Sequence, residues 1–192
     1  MIHSYLPENW DQTEKNIKTL NHSKMVANAA KIIASKTSSL DQDIAYNMGL
    51  MHDIGKFYLS KEESYKHPRI GYELSKEKHQ DIAIICITHG FPNLDLYEHV
   101  LHYCHNDKSE ADKVFDILKT IKTNDYIELI QFCDKISTID GYVKFEEKLD
   151  WYLKTYNIPK DELVKCYSTK LNKIKNKFDK YTQTNIYDLL CV

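Results

Sequence analysis

His52 and Asp53 stand side by side at the end of an apolar helical run that begins at Ala45, and Ile54, Gly55 and Lys56 come next. A neutral imidazole and a carboxylate adjacent at a helix end can share one divalent cation. The glycine frees the backbone to turn away, and the lysine offers a cation to an oxyanion held at the metal. A His-Asp pair alone is uninformative, since a chain of this composition yields roughly one by chance. It gains meaning from His22, His67, His89 and Asp134, each of which the sequence places on the buried face or at the end of its own helix.

The helical period is clear from Asn21 to about Lys36, where His22, Val26, Ala29 and Ile33 share one face. Ser38, Ser39 and Leu40 break the pattern, and Asp41 caps a second helix running to His52. Ala29, Ala30 and Ala45 are small enough to let these two helices approach and bring His22 to His52. A polar loop from Gly55 to Lys66 is expected over the site, and Pro68 then fits the first turn of a helix with His67 at its end. Gln80 to His89 is the most apolar helix, stopped by Gly90-Phe91-Pro92. Between Thr123 and Ile139, Asp134 interrupts the stripe of Ile127 and Ile130, and a carboxylate buried there costs several kcal/mol unless paired or metal-bound. Plainer roles exist: a core histidine on a carbonyl for His22, a surface cap for His67, and a salt bridge for Asp134, although Lys135 is expected to point elsewhere. His99, His102 and His105 form another cluster at steps of three, but no carboxylate is locked to it, and a structural or solvated role is expected.

Five glycines and four prolines leave few turns, which favours an all-α fold over a strand-rich one. A hydrophobic share of 42% with 28% charged residues excludes both disorder and a membrane-spanning chain. The longest apolar run, Ile82 to Ile87, cannot cross a bilayer. No basic and apolar leader opens the sequence, and the five cysteines include no C-x-x-C pair, so reduced thiols in a cytoplasmic protein are expected. A formal net charge of -2 argues against a dedicated nucleic-acid binder, while leaving room for a phosphorylated small-molecule substrate in a local cationic pocket. Residues 1–20, with Pro7 and Trp10, carry no evident chemistry. Near the carboxy terminus, Val164, Tyr167, Leu171, Ile174, Phe178 and Tyr181 form a heptad stripe flanked by lysines, which fits a packed helix or the surface of a homodimer.

In order and spacing, His22, His52-Asp53, His67, His89 and Asp134 resemble the HD-domain superfamily of metal-dependent phosphohydrolases over about residues 20–141. Gly49-Leu50-Met51-His52-Asp53-Ile54-Gly55-Lys56 is similar to the central motif of that family, and Phe132-Cys133-Asp134-Lys135-Ile136 to its closing one. The resemblance implies one all-α domain over residues 1–192, an HD helical bundle carrying extra helices in 142–192. It implies a first metal on His22, His52, Asp53 and Asp134, and a second on His67 and His89 with Asp53 bridging. Iron, manganese and zinc all suit this donor set. Asp53 and Lys56 become catalytic, with Lys56 and Arg69 binding the phosphate of a nucleotide-like substrate that a metal-activated water attacks. His67-Pro68-x-x-Gly71 resembles the branches that hydrolyse diadenosine tetraphosphate and cyclic dinucleotides. Gly90 stands where the latter has a second histidine, and its Gly-Tyr-Pro signature is missing, so a cyclic dinucleotide is discounted. Gly90-Phe91-Pro92 also departs from the small polar run of the tetraphosphate branch. Two other readings use the same residues: a di-iron HD oxygenase, and a non-catalytic metal- or ligand-binding module.

Overall fold

The computed structural model of the chain describes Leu6, residues 13–156 and residues 162–192, without the side chains of 151–164 and 166. Pro7 and Trp10 therefore lie outside the described residues, as does the side chain of Val164. Ten α-helices make up the described part, and its only β feature is an isolated bridge between Ser137 and Tyr142. The fold is all-α.

The first helix, α1 (Glu14–Ala34), starts earlier than the histidine-bearing period suggests, because the Thr13 hydroxyl caps it by accepting from Asn16 N and nothing near Leu20 breaks it. Asp41 caps α2 (Gln42–Met51) by accepting from the amides of Asp43 and Ile44. Ala29, Ala30 and Ala45 are fully buried as expected. The two helices also approach closely at Gly49, where a Cβ would lie 2.7 Å from Ala27 Cα and 2.8 Å from its nitrogen.

The segment expected as a polar loop folds into a 3-10 turn, Ile54–Tyr58, with Ile54 and Phe57 buried, and a second, Ser64–Lys66, that runs into α3 (His67–Ser75). Apolar residues within the motif drew it inwards. Next come α4 (Gln80–Thr88), then α5 (Tyr97–Tyr103) and α6 (Lys108–Leu118), which form a helical pair. Val100, Cys104, Ala111, Val114 and Leu118 of this pair pack on Ile87 and Phe91 as a small separate cluster.

The main core joins α1, α2 and α4 to α7 (Asp125–Ile136). Buried residues of α8 (Phe145–Tyr156), α9 (Glu162–Thr182) and α10 (Ile186–Leu189) belong to the same core, among them Phe145, Leu171, Ile174, Phe178 and Ile186. The described part of the carboxy-terminal stripe thus packs on its own chain up to Phe178, leaving Tyr181 exposed. Two lysines beside the stripe tie α9 to α7: Lys170 pairs with Glu128, and Lys177 with both Asp125 and Glu128.

A substitution at the α1–α2 contact tests this packing. Gly49→Ala gains about 1 kcal/mol of helix propensity, yet its methyl meets backbone that cannot swing aside. Overpacking of this kind costs about 1–3 kcal/mol. Urea denaturation should show a net loss of stability, where propensity alone would give a gain.

Candidate metal centre

Five segments deliver the six predicted ligands to one place. His22 comes from α1, His52 and Asp53 directly follow α2, His67 opens α3, His89 directly follows α4, and Asp134 lies in the last turn of α7. Gly55 allows one of these meetings: a Cβ there would fall 2.2 Å from His67 O and 2.7 Å from Gly71 N. Close approach is its role, since among the described residues no glycine has a positive φ. The backbone release expected of Gly55 is therefore corrected. Gly71 does the same for α4, whose Cys86 Cβ would sit 2.9 Å from an added methyl.

Asp53 is the hub. Its Oδ1 lies 3.0 Å from His67 Nε2 and 3.4 Å from His89 Nε2, while its Oδ2 lies 3.4 Å from His52 Nε2 and 4.0 Å from His22 Nε2. Asp134 Oδ1 is 2.9 Å from His22 Nε2 and 3.7 Å from His52 Nε2. His52, Asp53, His67, His89 and Asp134 are all buried. The plainer roles for His22 and His67 therefore fall away, because His22 faces a carboxylate and His67 faces inwards.

The tautomers follow from the backbone. Nδ1 of His52 donates to Gly49 O at 2.7 Å, that of His67 to Ser64 O at 2.6 Å, and that of His89 to Cys86 O at 2.8 Å. When unprotonated, each ring then presents a bare Nε2 lone pair to the centre. His67 and His89 bring two such nitrogens within 3.1 Å of each other, beside an acceptor oxygen of Asp53. Acceptors crowded on acceptors repel unless a cation lies among them. His52 Nε2 and Asp53 Oδ1 are moreover buried without a hydrogen-bond partner. Orphaned polar atoms in a dry interior are costly, and imidazole nitrogen with carboxylate oxygen is a donor set that divalent iron, manganese and zinc accept.

Electrostatics point the same way. Burial opposes ionisation of both carboxylates, yet Lys56 and His52 at Asp53, and Lys135 and His22 at Asp134, hold them well below the usual carboxylate range. Burial drives His22 and His67 down to about 4 and lowers His89. His52 behaves oppositely: burial resists its protonation, but Asp53 and Asp134 outweigh that and raise it to about 9. Positive charge is stabilised in the middle of the ligand set. The ligand atoms of His22, His52 and Asp134 lie within 4.8 Å of one another, as do those of His52, Asp53 and His89. His52 thus reaches both groups, whereas the resemblance assigned it to the first metal alone.

A family profile described as HD domain matches residues 19–139, well over half of the chain. The chain belongs to the HD-domain family. That family falls in a superfamily of metal-dependent phosphohydrolases, in agreement with the ligand set. Among curated proteins the chain is similar to Ribonuclease Y 1 of Pediococcus pentosaceus, 27% identical over 139 residues that cover 72% of this chain and 23% of that protein. It is also similar to Ribonuclease Y of Listeria welshimeri, 28% identical over 147 residues, and of Clostridium perfringens, 28% over 148, each covering 76% of this chain and 25% of the relative. The chain spans about a quarter of the length of these relatives. No solved structure matches it. Among the described residues no helix is long and apolar enough to cross a membrane.

Around the HD centre stand cations. Lys56 Nζ is 2.6 Å from Asp53 Oδ2, and its side chain is 28% exposed against 1% for Asp53, so it reaches from the buried ligand towards the open side. Lys135 does not point elsewhere: its Nζ is 2.5 Å from Asp134 Oδ2, because Asp134 has only one oxygen turned to the imidazoles. Arg69 lies one turn into α3, and its Nε donates to buried Glu110 of α6 at 2.7 Å, which holds the α5–α6 pair against α3. The structure thus assigns the Arg69 guanidinium a structural partner that the sequence left unseen. Tyr103, also absent from the sequence reading, places its hydroxyl 3.4 Å from His67 Nε2. Its ring lies within 3.0 Å of where a Cβ on Gly90 would stand, which gives Gly90 a spatial reason that only the fold reveals.

The second histidine cluster separates as expected. His99 is buried edge-on to Phe91 and Tyr167, while His102 and His105 are exposed, and His105 with Asn106 adopts positive φ in the turn after α5. Burial, then Lys135, pushes His99 from 6.5 down to about 4.

Two measurements follow. Between pH 6.5 and 4 the unfolded chain protonates His99 and the native state does not, so native stability falls as pH drops through this window. In metal-free protein, the stability difference between wild type and His99→Phe should shrink by about 3 kcal/mol from pH 7 to pH 4. Second, Mn2+ added to EDTA-stripped protein should raise Tm, by the equivalent of about 2.7 kcal/mol at a free ion concentration 100 times Kd. Asp53→Ala should abolish that response in calorimetry.

Proposed function

We propose that the chain hydrolyses a phosphate ester or anhydride in a nucleotide-like small molecule, with two divalent ions, iron, manganese or zinc, as cofactors. The observation that carries the reading is Asp53, which turns one carboxylate oxygen to His67 and His89 and the other to His52 and Lys56. A carboxylate divided in this way suits a bridging ligand between two halves of one centre. Membership in the HD-domain family and the ribonucleases among its relatives support cleavage at phosphorus.

Divalent ions in such a centre supply Lewis acidity and a water acidic enough to attack phosphorus near neutral pH. The chain's own residues do the rest. Asp53 keeps the two halves of the ligand set at a fixed separation. The backbone carbonyls of Gly49, Ser64 and Cys86 lock three rings with Nε2 inwards. Lys56, half-buried and reaching outwards, holds a phosphoryl oxygen and offsets charge that grows on it during the reaction. Lys135 adds a second ammonium beside Asp134. Against a formal charge of -2 for the whole chain, these local cations draw an anionic group to the centre and leave the rest of the surface indifferent to a polyanion. This is why a small molecule is favoured over RNA. The reduced thiols of Cys86, Cys104 and Cys133 suit a cytoplasmic setting.

The test is a substrate panel on metal-loaded protein: nucleoside mono-, di- and triphosphates, dinucleoside polyphosphates, an oligoribonucleotide, and p-nitrophenyl phosphate esters. Phosphate or nucleotide release from the small molecules is expected. Cleavage of the oligoribonucleotide alone would move the reading to the activity named in its relatives. No release from any of them with two equivalents of metal bound would sink it, and oxygen uptake with reduced iron and a polyol or phosphonate would replace it with an oxygenase. Lys56→Ala should lower kcat about 100-fold or more, with metal content unchanged.

A further inference from the structure

Asp134 occupies an awkward position for an anion. It lies in the last turn of α7, where the helix dipole is negative and the final carbonyls lack intrahelical partners. Several of the carbonyls at this end have partners, Cys133 O among them, which accepts from Ser137 N at 3.1 Å. Ile136 O accepts from Val143 N at 2.8 Å, whereas Asp134 O and Ser137 O each accept from Lys148 Nζ at 2.5 Å. Lys148 belongs to α8, beyond the residues 19–139 that the family profile matches.

The placement of Lys148 is built, not incidental. The Ser137–Tyr142 bridge and the Thr138–Gly141 turn fold the chain straight back after α7. Phe145 then anchors α8 in the main core, and its amide donates to Tyr187 Oη of α10 at 3.1 Å. Lys148 follows one turn later and comes to rest under the end of α7. Its ammonium thus bonds to the backbone of a metal ligand while the carboxylate of that ligand faces His22.

We propose that Lys148 is a positioning residue for Asp134, through which the carboxy-terminal helices complete the HD metal centre. By holding the carbonyl of Asp134 at that helix end, Lys148 fixes the residue so that its carboxylate stays against His22. The inference rests on the metal-centre half of the proposed function and is independent of which ester is cleaved.

Titration of the metal-stripped full chain with Co2+, followed by visible absorption and calorimetry, tests it without any substrate. Lys148→Met should bind Co2+ about 10-fold or more weakly, as outer partners of metal ligands generally do when removed, with an altered absorption envelope. Lys148→Arg, which keeps the charge and donors, should retain most of the affinity. Lys177→Met is the control: it breaks the α9–α7 ion pairs to Asp125 and Glu128 far from the ligands, and should lower Tm while leaving Co2+ affinity unchanged. Wild-type affinity in Lys148→Met, an arginine variant as weak as the methionine one, or an equal loss in Lys177→Met would overturn the proposal. Should the methionine variant not fold, Lys148→Gln carries the same reading: weaker Co2+ binding is expected, and an unchanged affinity overturns it.

Discussion

Everything in this molecule answers to two ionised carboxylates buried among imidazoles. Asp53 and Asp134 are taken out of water beside four rings whose inward nitrogens are mostly acceptors, a combination that costs several kcal/mol without a compensating cation. The ligands repel one another until positive charge enters, and without a metal the raised His52, Lys56 and Lys135 supply part of it to the two carboxylates. The centre is a buried cluster of donor atoms whose arrangement favours a cation, held together by the rest of the fold.

Helix ends do the holding. Ligands at the ends of α2, α3, α4 and α7 sit where backbone groups are unsatisfied, so the same carbonyls that terminate a helix also orient a ring. Close contacts set the distances: Gly49 on Ala27, Gly55 on the first turn of α3, Gly71 on Cys86. A methyl at any of these would stand within 3.0 Å of the facing segment and force it to shift. The α5–α6 pair is fastened to α3 through Arg69 and Glu110, and Tyr103 from α5 closes against His67.

Much of this was legible in the residues. Periodicity gave the helices that bear His22, His89 and Asp134, and the cap at Asp41 marked where the helix leading to His52 begins. Legibility failed where one pattern has two outcomes. The run from Gly55 to Lys66 reads as polar, yet Phe57 and the 3-10 turns draw its start inwards, since a few apolar residues suffice when the neighbouring helix offers a pocket. The contact of Lys135 with Asp134 and that of Arg69 with Glu110 were not foreseen, because a long side chain can turn either way and only the position of its counter-ion decides.

Residue type and helical period are local properties, and they were enough for the all-α fold and for the order of the six candidate ligands. Tertiary structure decided the rest. It set which oxygen of Asp53 meets which ring, why Gly55 must be glycine, that His99 is a core residue, and that Lys148 lies under Asp134. These are contacts between segments distant in the chain, fixed by how helices pack and not by any pattern within one of them.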